Sequence, residues 1–218
     1  MRRTRLLPVA ALALLACEPA QPAAPPPPPT AAPPPPPAPP PAFAGASGTF
    51  RSERFGLRLP LPDGRAWRID DHAGPWLTAS HPATSSSLLV RSWTEDGRAN
   101  RARCEERARL WYKLPERAGA EILQDRAVDA PAGFDTRLLV GIVSGAPNTP
   151  IGAFALAFGA HAHRCFVWAY TTSASGPGAE RALGERLATM VEASLTKVTQ
   201  ENELVPTIRR EPLGPKRD

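Results

Sequence analysis

IGAFALAFGAHAHRCFVWAYTTS, residues 151–173, consists of two long apolar segments joined by a short polar one. Segments rich in aliphatic and aromatic residues and separated by a turn signal are typical of adjacent strands. The glycine and histidines between positions 159 and 163 mark the turn, so the stretch is predicted to be a β-hairpin. Alternate side chains of a strand point to opposite faces of its sheet. In the second strand Cys165, Val167 and Ala169 then share one face, and Phe166, Trp168 and Tyr170 the other.

Shorter segments outside the hairpin also alternate. RFGLRLPLP, residues 54–62, has the pattern of a half-buried strand, with apolar residues at every second position. Turn-forming residues separate the further candidates from one another. These candidates are residues 66–70, 75–80, 87–95, 120–128 and 134–144.

Two segments have the period of a helix instead. In ANRARCEERARLWYKL, residues 99–114, Cys104, Ala108 and Trp111 recur on one helix face. Pro115 fits the end of this helix. A second helix is predicted over residues 178–198. Its apolar face would carry Leu183, Leu187, Met190, Val191 and Ser194.

The predicted order of elements is ββββ-α-ββββ-α. Mostly antiparallel strands with two main helices imply an α+β domain in which the helices cover the sheet. The domain is predicted to occupy residues 49–200, because about 150 residues are enough to bury one core.

Three stretches of the second half resemble a known layout. They are GFDTRLLVGIVSG at residues 133–145, CFVWAYTT at residues 165–172 and MVEASL at residues 190–195. With the order of elements and the leader of the chain, they resemble the PsbP/Mog1-like α/β/α sandwich, which includes DcrB-type bacterial lipoproteins. The resemblance implies an adaptor or binding role without a catalytic motif, and it names no ligand.

The first residues have the pattern of an export signal. MRRTR is positively charged, and residues 6–16 form an apolar run of 11 residues. That run is too short to span a bilayer as a helix, for which roughly 20 residues are needed. Residues 1–16 are therefore predicted to be a signal peptide.

Cys17 follows directly after this run. Leu14-Leu15-Ala16-Cys17 resembles the bacterial lipobox, in which the cysteine receives lipid and the chain is cut just before it. Cys17 is therefore predicted to be a lipidation site that holds the protein on the membrane. Glu18 is not the aspartate associated with inner-membrane retention, which favours the outer membrane. The alternative is an ordinary secreted protein, cut near Ala16 or Ala20, with a free thiol.

Proline and alanine dominate residues 17–48, which contain 15 of the chain's 28 prolines. Such a chain adopts extended polyproline II and cannot build a core. It is predicted to be a disordered, stiff linker, with a ligand for a proline-recognition groove or for cell-wall material as the alternative. Residues 201–218 are predicted to be a flexible basic tail.

The net charge of +5 gives little support to a nucleic-acid surface. Without the three arginines of the leader the net charge is about +2, and part of this lies in the tail. The domain itself is close to neutral, so no nucleic-acid partner is predicted.

Cys104 and Cys165 remain after Cys17 is set aside. An even number of cysteines in an exported chain favours a disulfide. If the first helix packs on the Cys165 face of the sheet, the two sulfurs can meet. Two separately buried thiols are the alternative.

Candidates for chemistry are weak. His161 and His163 could share one side of a strand, but a metal site needs three or four ligands and no third is evident. Asp70, Asp71 and His72 could form a base with an orienting carboxylate, yet residues of these types are also common in turns. The sequence has no recognised catalytic motif, and no cofactor is predicted.

Tryptophan is the other conspicuous residue type. Trp111 and Trp168 are predicted to lie in the core. Trp67, Trp76 and Trp93 lie near strand ends, close to Arg68 and Arg91, and they could form an aromatic patch with cation–π partners.

The leading hypothesis is a lipid-anchored protein of the bacterial envelope whose domain, held on a proline-rich stalk, is a non-catalytic binding or adaptor module. Its partner would be a protein or another component of the envelope. The alternative is an envelope hydrolase or metal-dependent enzyme that uses Asp71 and His72, or His161 and His163.

Overall fold

The structure is a computed structural model that describes residues 38–144 and 149–201. Within these residues the chain forms ten β-strands and two α-helices. The strands are β1 (Gly48–Ser52), β2 (Leu57–Leu61), β3 (Arg68–Asp70), β4 (Leu77–His81), β5 (Ser86–Thr94), β6 (Glu121–Val128), β7 (Asp135–Val143), β8 (Ile151–His161), β9 (Arg164–Ala174) and β10 (Thr199–Gln200). The helices are α1 (Arg101–Trp111) and α2 (Ala179–Ala193).

The hairpin of residues 151–173 lies within the larger of two sheets. This sheet has seven antiparallel strands in the order β3-β4-β5-β9-β8-β7-β6. β8 and β9 pair along their length, with Leu156 opposite Ala169, and only residues 162 and 163 separate them. Most of their residues are buried, as a near-continuous apolar sequence requires of strands covered on both faces. The predicted hairpin is confirmed.

A second sheet and α2 together cover one face of the larger sheet. The second sheet has the order β1-β2-β10. Leu57, Leu59 and Leu61 of β2 belong to the same buried cluster as Leu183 and Leu187 of α2. The apolar face predicted for the second helix is confirmed, because all five of its members are buried.

The opposite face carries α1. Ala108 of the helix and Leu114, just beyond its end, pack with Phe154, Leu156 and Phe158 of β8. The helix contacts β7, β8 and β9. Its last residue also reaches Arg91 and Trp93 near the end of β5, but the face formed by β3, β4 and the first part of β5 lines an open groove.

A disulfide ties α1 to the sheet. Sγ of Cys104 lies 1.99 Å from Sγ of Cys165 on β9. Both residues are fully buried. The bond fixes the first turns of α1 over the end of the central hairpin.

The prediction of an α+β domain is wrong. The described part of the chain is a β-rich fold, with ten strands in two sheets and only two α-helices. The predicted order ββββ-α-ββββ-α lacked β1 and β10 and placed β2 in the same sheet as the other strands. The three form a sheet of their own, so the expected PsbP/Mog1-like layout, one sheet covered by two helices, is not found. β1 is held by pairing with the adjacent β2, and β10 by a long-range pairing with β2 that local alternation does not reveal.

The residues just before β1 also lie on the domain. The ring centre of Phe43 lies 6.2 Å from that of Trp67. The backbone N–H of Gly64 donates to the carbonyl of Ala46 at 3.0 Å. This end of the predicted linker therefore contacts the structure that follows it.

Several predictions concern residues outside the described ranges. These are the signal peptide over residues 1–16, lipidation of Cys17, the linker before residue 38 and the tail beyond residue 201. Among residues 38–144 and 149–201, neither helix has the length and apolar character needed to cross a membrane.

Candidate functional site

The uncovered part of the sheet face is the floor of a groove of about 1000 Å³. Ser80 lies opposite Ser87, and Ser87 lies opposite Thr171, so three hydroxyl side chains form a row across β4, β5 and β9. In a neighbouring row Leu89 lies opposite Ala169. The floor therefore has a hydrogen-bonding strip beside an apolar one.

The segment after α1 forms a wall of the groove. Leu114 anchors this segment and is only 3% exposed. Arg109, in the last turn of α1, donates from Nη1 to the carbonyl of Pro115 at 3.0 Å and from Nε to Glu105 at 2.9 Å. These bonds fix the course of the chain beyond the helix and place Tyr112 in the lining of the groove.

Charged residues of both signs line the groove. Arg68 and Asp70 come from β3, the edge strand of the larger sheet. Lys113 and Glu116 come from the segment after α1. The formal charges of these four residues cancel, so any charge preference of the groove has to come from residues beside it.

One arginine lies among three tryptophans beside the groove. The Arg91 cluster consists of Arg91, Trp76, Trp93 and Trp111. The guanidinium carbon of Arg91 lies 3.8 Å from the ring centre of Trp111 and 5.8 Å from those of Trp76 and Trp93. These are cation–π distances. Trp76 contacts Tyr112 edge-on, with ring centres 5.9 Å apart, so the cluster adjoins the groove at Tyr112.

The carboxylate closest in sequence to Arg91 is bound elsewhere. Glu95 accepts a hydrogen bond from Nε1 of Trp93 at 2.7 Å. It also pairs with Arg103 at 3.3 Å and with Arg107 at 3.7 Å. Both of these arginines belong to α1, so Glu95 connects the helix to the end of β5.

Arg91 itself has no ion pair with any described carboxylate. Its Nε is buried without an acceptor, and so is Nε1 of Trp76. Burial of the guanidinium and the nearby positive charge of Arg54 lower the pKa of Arg91. The cluster is thus a partly desolvated cation with unused hydrogen-bond donors.

Large apolar side chains are exposed at the end of α1. The exposed fraction is 75% for Leu110, 38% for Trp111 and 44% for Tyr112. The prediction that Trp111 is a core residue is wrong, because its ring packs on Arg91 and Trp93 at the end of the helix and keeps this exposed surface. An exposed apolar patch beside a groove is typical of an interaction surface.

The three tryptophans of the predicted patch do not stay together. Trp76 and Trp93 belong to the Arg91 cluster, whereas Trp67 lies on the opposite face of the sheet. There its Nε1 donates to the carbonyl of Pro62 at 2.7 Å. Trp67 is only 6% exposed and contributes to the core.

The two candidate metal-binding histidines, His161 and His163, bond to the carbonyls of different loops. Nδ1 of His161 lies 2.8 Å from the carbonyl oxygen of Gly133, and Nδ1 of His163 lies 3.0 Å from that of Gly97. His163 belongs to the hairpin turn and not to a strand, so the expected same-side arrangement is absent. The described ranges contain no group of three or more residues suited to hold a metal ion.

Asp71 and His72 do not form a pair through their side chains. The backbone N–H groups of His72 and Ala73 both donate to Oδ1 of Asp70 at 2.9 Å, which lowers the pKa of that carboxyl. Asp71 is only 6% exposed. Its Oδ1 has no hydrogen-bond partner among the residues that the structure describes. The local geometry is that of a turn.

His81, a buried histidine that the sequence did not indicate as a site residue, has polar partners at both ring nitrogens. Nε2 of His81 lies 3.1 Å from Oδ2 of Asp63, and Nδ1 lies 2.8 Å from Oγ1 of Thr84. A carboxylate, an imidazole and a hydroxyl also form hydrolytic triads, but there the hydroxyl binds Nε2 and is open to substrate. Thr84 binds Nδ1 and is only 1% exposed. The arrangement satisfies buried polar groups and offers no accessible nucleophile.

This network continues into the core. The hydroxyl of Ser86 lies 2.8 Å from that of Thr84, 2.9 Å from that of Tyr170 and 3.0 Å from that of Thr172. Burial raises the pKa of Tyr170. Arg186 closes the network by donating from Nη1 to Oγ1 of Thr172 at 3.1 Å.

Neither a family model nor a curated protein matches the chain. A solved structure of a protein from Bacteroides thetaiotaomicron is similar to it, with 9% sequence identity and a TM-score of 0.40. The match covers 71% of this chain and 48% of that protein, so it spans about half of that protein's length.

Proposed function

We propose that the protein is a non-catalytic binding module of the bacterial cell envelope. It is attached to the outer membrane by lipid on Cys17, and the proline-rich linker carries the domain away from the bilayer. The domain binds a partner protein through the groove and the exposed end of α1.

The exposed patch at the end of α1 carries the proposal. Leu110, Trp111 and Tyr112 expose large apolar surfaces beside a groove that Tyr112 also lines. Tryptophan, tyrosine and arginine are the residue types that dominate binding energy at protein interfaces. Burial of one exposed leucine side chain contributes about 2 kcal/mol, so a partner that covers this patch gains binding energy without any rearrangement of the domain.

Export to the envelope has independent support. Cys104 and Cys165 form a disulfide, and such bonds persist in oxidising compartments such as the periplasm. Cys17 is the remaining cysteine, and it follows a short apolar run preceded by arginines. Lipidation gives this cysteine a role other than that of an exposed, reactive thiol.

Site-specific photocrosslinking in intact cells tests the binding surface. A photoreactive residue is placed at Leu110, and the control carries it at Leu123, which is also exposed, at 46%, but lies on β6. We expect one defined crosslinked protein from position 110 and none from position 123. Equal crosslinking from both positions, or none from position 110, would overturn the proposed surface.

The anchor is tested separately with Cys17→Ser. We expect the substituted protein to leave the membrane fraction and enter the soluble envelope fraction, with its fold intact. Unchanged membrane association would contradict lipid attachment at this residue.

A further inference from the structure

The Arg91 cluster and the groove together point to the chemistry of the partner segment, an inference that rests on the proposed function. We propose that the groove binds an extended acidic peptide segment of the partner protein, with one carboxylate of that segment on the guanidinium of Arg91.

The first argument is the uncompensated charge beside the groove. Arg91 has no ion pair among the described residues, and its Nε is buried without an acceptor. Glu95, the carboxylate closest in sequence to Arg91, forms ion pairs with Arg103 and Arg107 instead. A desolvated cation without a counterion is unfavourable. An incoming carboxylate relieves that cost, so an acidic ligand is selected over a neutral one.

The second argument is that the arginine is held ready for such a ligand. Its guanidinium lies 3.8 Å from the ring centre of Trp111, within a cage completed by Trp76 and Trp93. Stacking on an aromatic ring fixes the plane of the guanidinium, and a planar fork of N–H donors matches a carboxylate in two parallel hydrogen bonds. Little side-chain entropy is lost when a ligand binds to a group that is already ordered.

The third argument is the shape of the groove. Its lining crosses four neighbouring strands, β3, β4, β5 and β9. At about 4.8 Å per strand this floor is roughly 14 Å wide, the length of about four residues of extended chain. β3 is the edge strand, so a longer chain can continue beyond the sheet on that side. The floor therefore suits an extended segment.

The fourth argument distinguishes a peptide from a sugar chain. The hydroxyl row of Ser80, Ser87 and Thr171 can bond backbone amides, and Leu89 and Ala169 offer an apolar strip for an alternate side chain. Alternation of polar and apolar contacts is the pattern of an extended peptide. The highly exposed Leu110 beside Trp111 is an apolar contact typical of protein interfaces.

The test uses the full-length protein and two labelled peptides. One is a decapeptide of alternating glutamate and alanine with a central leucine, and the other has glutamine in place of every glutamate. We expect fluorescence anisotropy to show binding of the glutamate peptide about tenfold tighter, the effect of one preserved charged hydrogen-bonded contact. Arg91→Gln should abolish this preference, Arg91→Lys should reduce it, and Arg181→Gln, an exposed arginine on α2, should leave it unchanged.

Four outcomes would overturn the inference. Equal affinity for the two peptides would remove the role of the carboxylate. An equal loss of binding in the Arg181→Gln control would show a general charge effect. Tighter binding of an acidic oligosaccharide, oligogalacturonate, lost in Arg91→Gln, would assign the site to carbohydrate instead. If the peptides fail but crosslinking at Leu110 persists, the acidic-peptide inference falls while the proposed binding surface stands.

Discussion

Nη2 of Arg186 lies 2.6 Å from the carbonyl oxygen of Pro41, and this contact joins α2 to the residues that precede β1. Arg186 is only 2% exposed. Its other acceptors are the carbonyls of Thr84 and Ser173, both at 2.9 Å, and the hydroxyl of Thr172. All of these acceptors are neutral, so the guanidinium is stabilised by hydrogen bonds and not by a carboxylate. Burial lowers its pKa.

Arg186→Met should destabilise the domain substantially. The change removes this donor from the buried carbonyl of Thr84 and from the partly buried hydrogen bonds to Pro41 and Ser173. At about 1 kcal/mol for each lost partner, we expect the free energy of unfolding to fall by roughly 3 kcal/mol. Urea unfolding followed by tryptophan fluorescence measures this change.

The matched control for that variant lies on the same helix. Arg181 is exposed, and Arg181→Met should change the free energy of unfolding by no more than about 0.5 kcal/mol. Limited proteolysis adds a local readout, because the residues around Pro41 should become cleavable in Arg186→Met only. Similar stability of the two variants would contradict an anchoring role for Arg186.

The disulfide gives a second prediction. In Cys17→Ser, denatured protein from the envelope should contain no titratable thiol, because Cys104 and Cys165 are joined. Replacement of both by serine should lower the free energy of unfolding by roughly 4 kcal/mol, the chain-entropy value for a loop of about 60 residues. Two thiols per denatured chain would contradict the bond.

Asp125 gives a pH-dependent prediction. Hydrogen bonds from Arg137 and Arg117 lower the pKa of this carboxyl from 3.8 to about 2. A lowered pKa in the folded state means that the charged form stabilises the fold. This contribution is complete above about pH 4 and is lost as the pH falls through about 2.

The measurement compares the Tm of Asp125→Asn with that of the unsubstituted protein from pH 6 to pH 2. We expect the variant to melt earlier at pH 6 and the difference to shrink towards pH 2. Asp96→Asn serves as control, since Asp96 is exposed and has no ion pair among the described residues. A difference that stays constant with pH would refute the role assigned to the charge.

The central hairpin could be predicted from the sequence because its signal is local. β8 and β9 are buried on both faces, and burial of that kind requires a long apolar run. β1 and β10 carry no such run, and they become strands by pairing with β2, in the case of β10 across more than half of the domain. Local patterns give the period of a segment but not the sheet to which it belongs. The predicted α+β fold class was wrong for this reason.

The candidate site also combines features that local sequence reveals with features that depend on long-range pairing. Trp76 and Trp93 could be predicted as members of an aromatic patch because they are tryptophans near strand ends. The position of Arg91 among three indole rings depends on α1, which supplies Trp111. The disulfide places Cys104 of α1 beside Cys165 of β9, which lies opposite Trp93 of β5. Trp111 follows Cys104 by about two helical turns and there contacts Arg91. That chain of positions requires the pairing of β5 with β9, which the sequence does not encode locally.

Arg91 and Arg186 should differ markedly in their response to the same substitution. Both are partly or fully buried arginines without an ion pair among the described residues, but Arg186 donates several hydrogen bonds and Arg91 donates none to those residues. Arg91→Met loses a cation–π contact worth about 1 kcal/mol and removes the cost of a desolvated charge. We therefore expect the free energy of unfolding to change by less than about 1 kcal/mol, against the marked loss in Arg186→Met. A buried charge that adds nothing to stability is typical of a binding site. If urea unfolding shows Arg91→Met to be as destabilised as Arg186→Met, Arg91 is structural, and the argument for a carboxylate at the groove loses its basis.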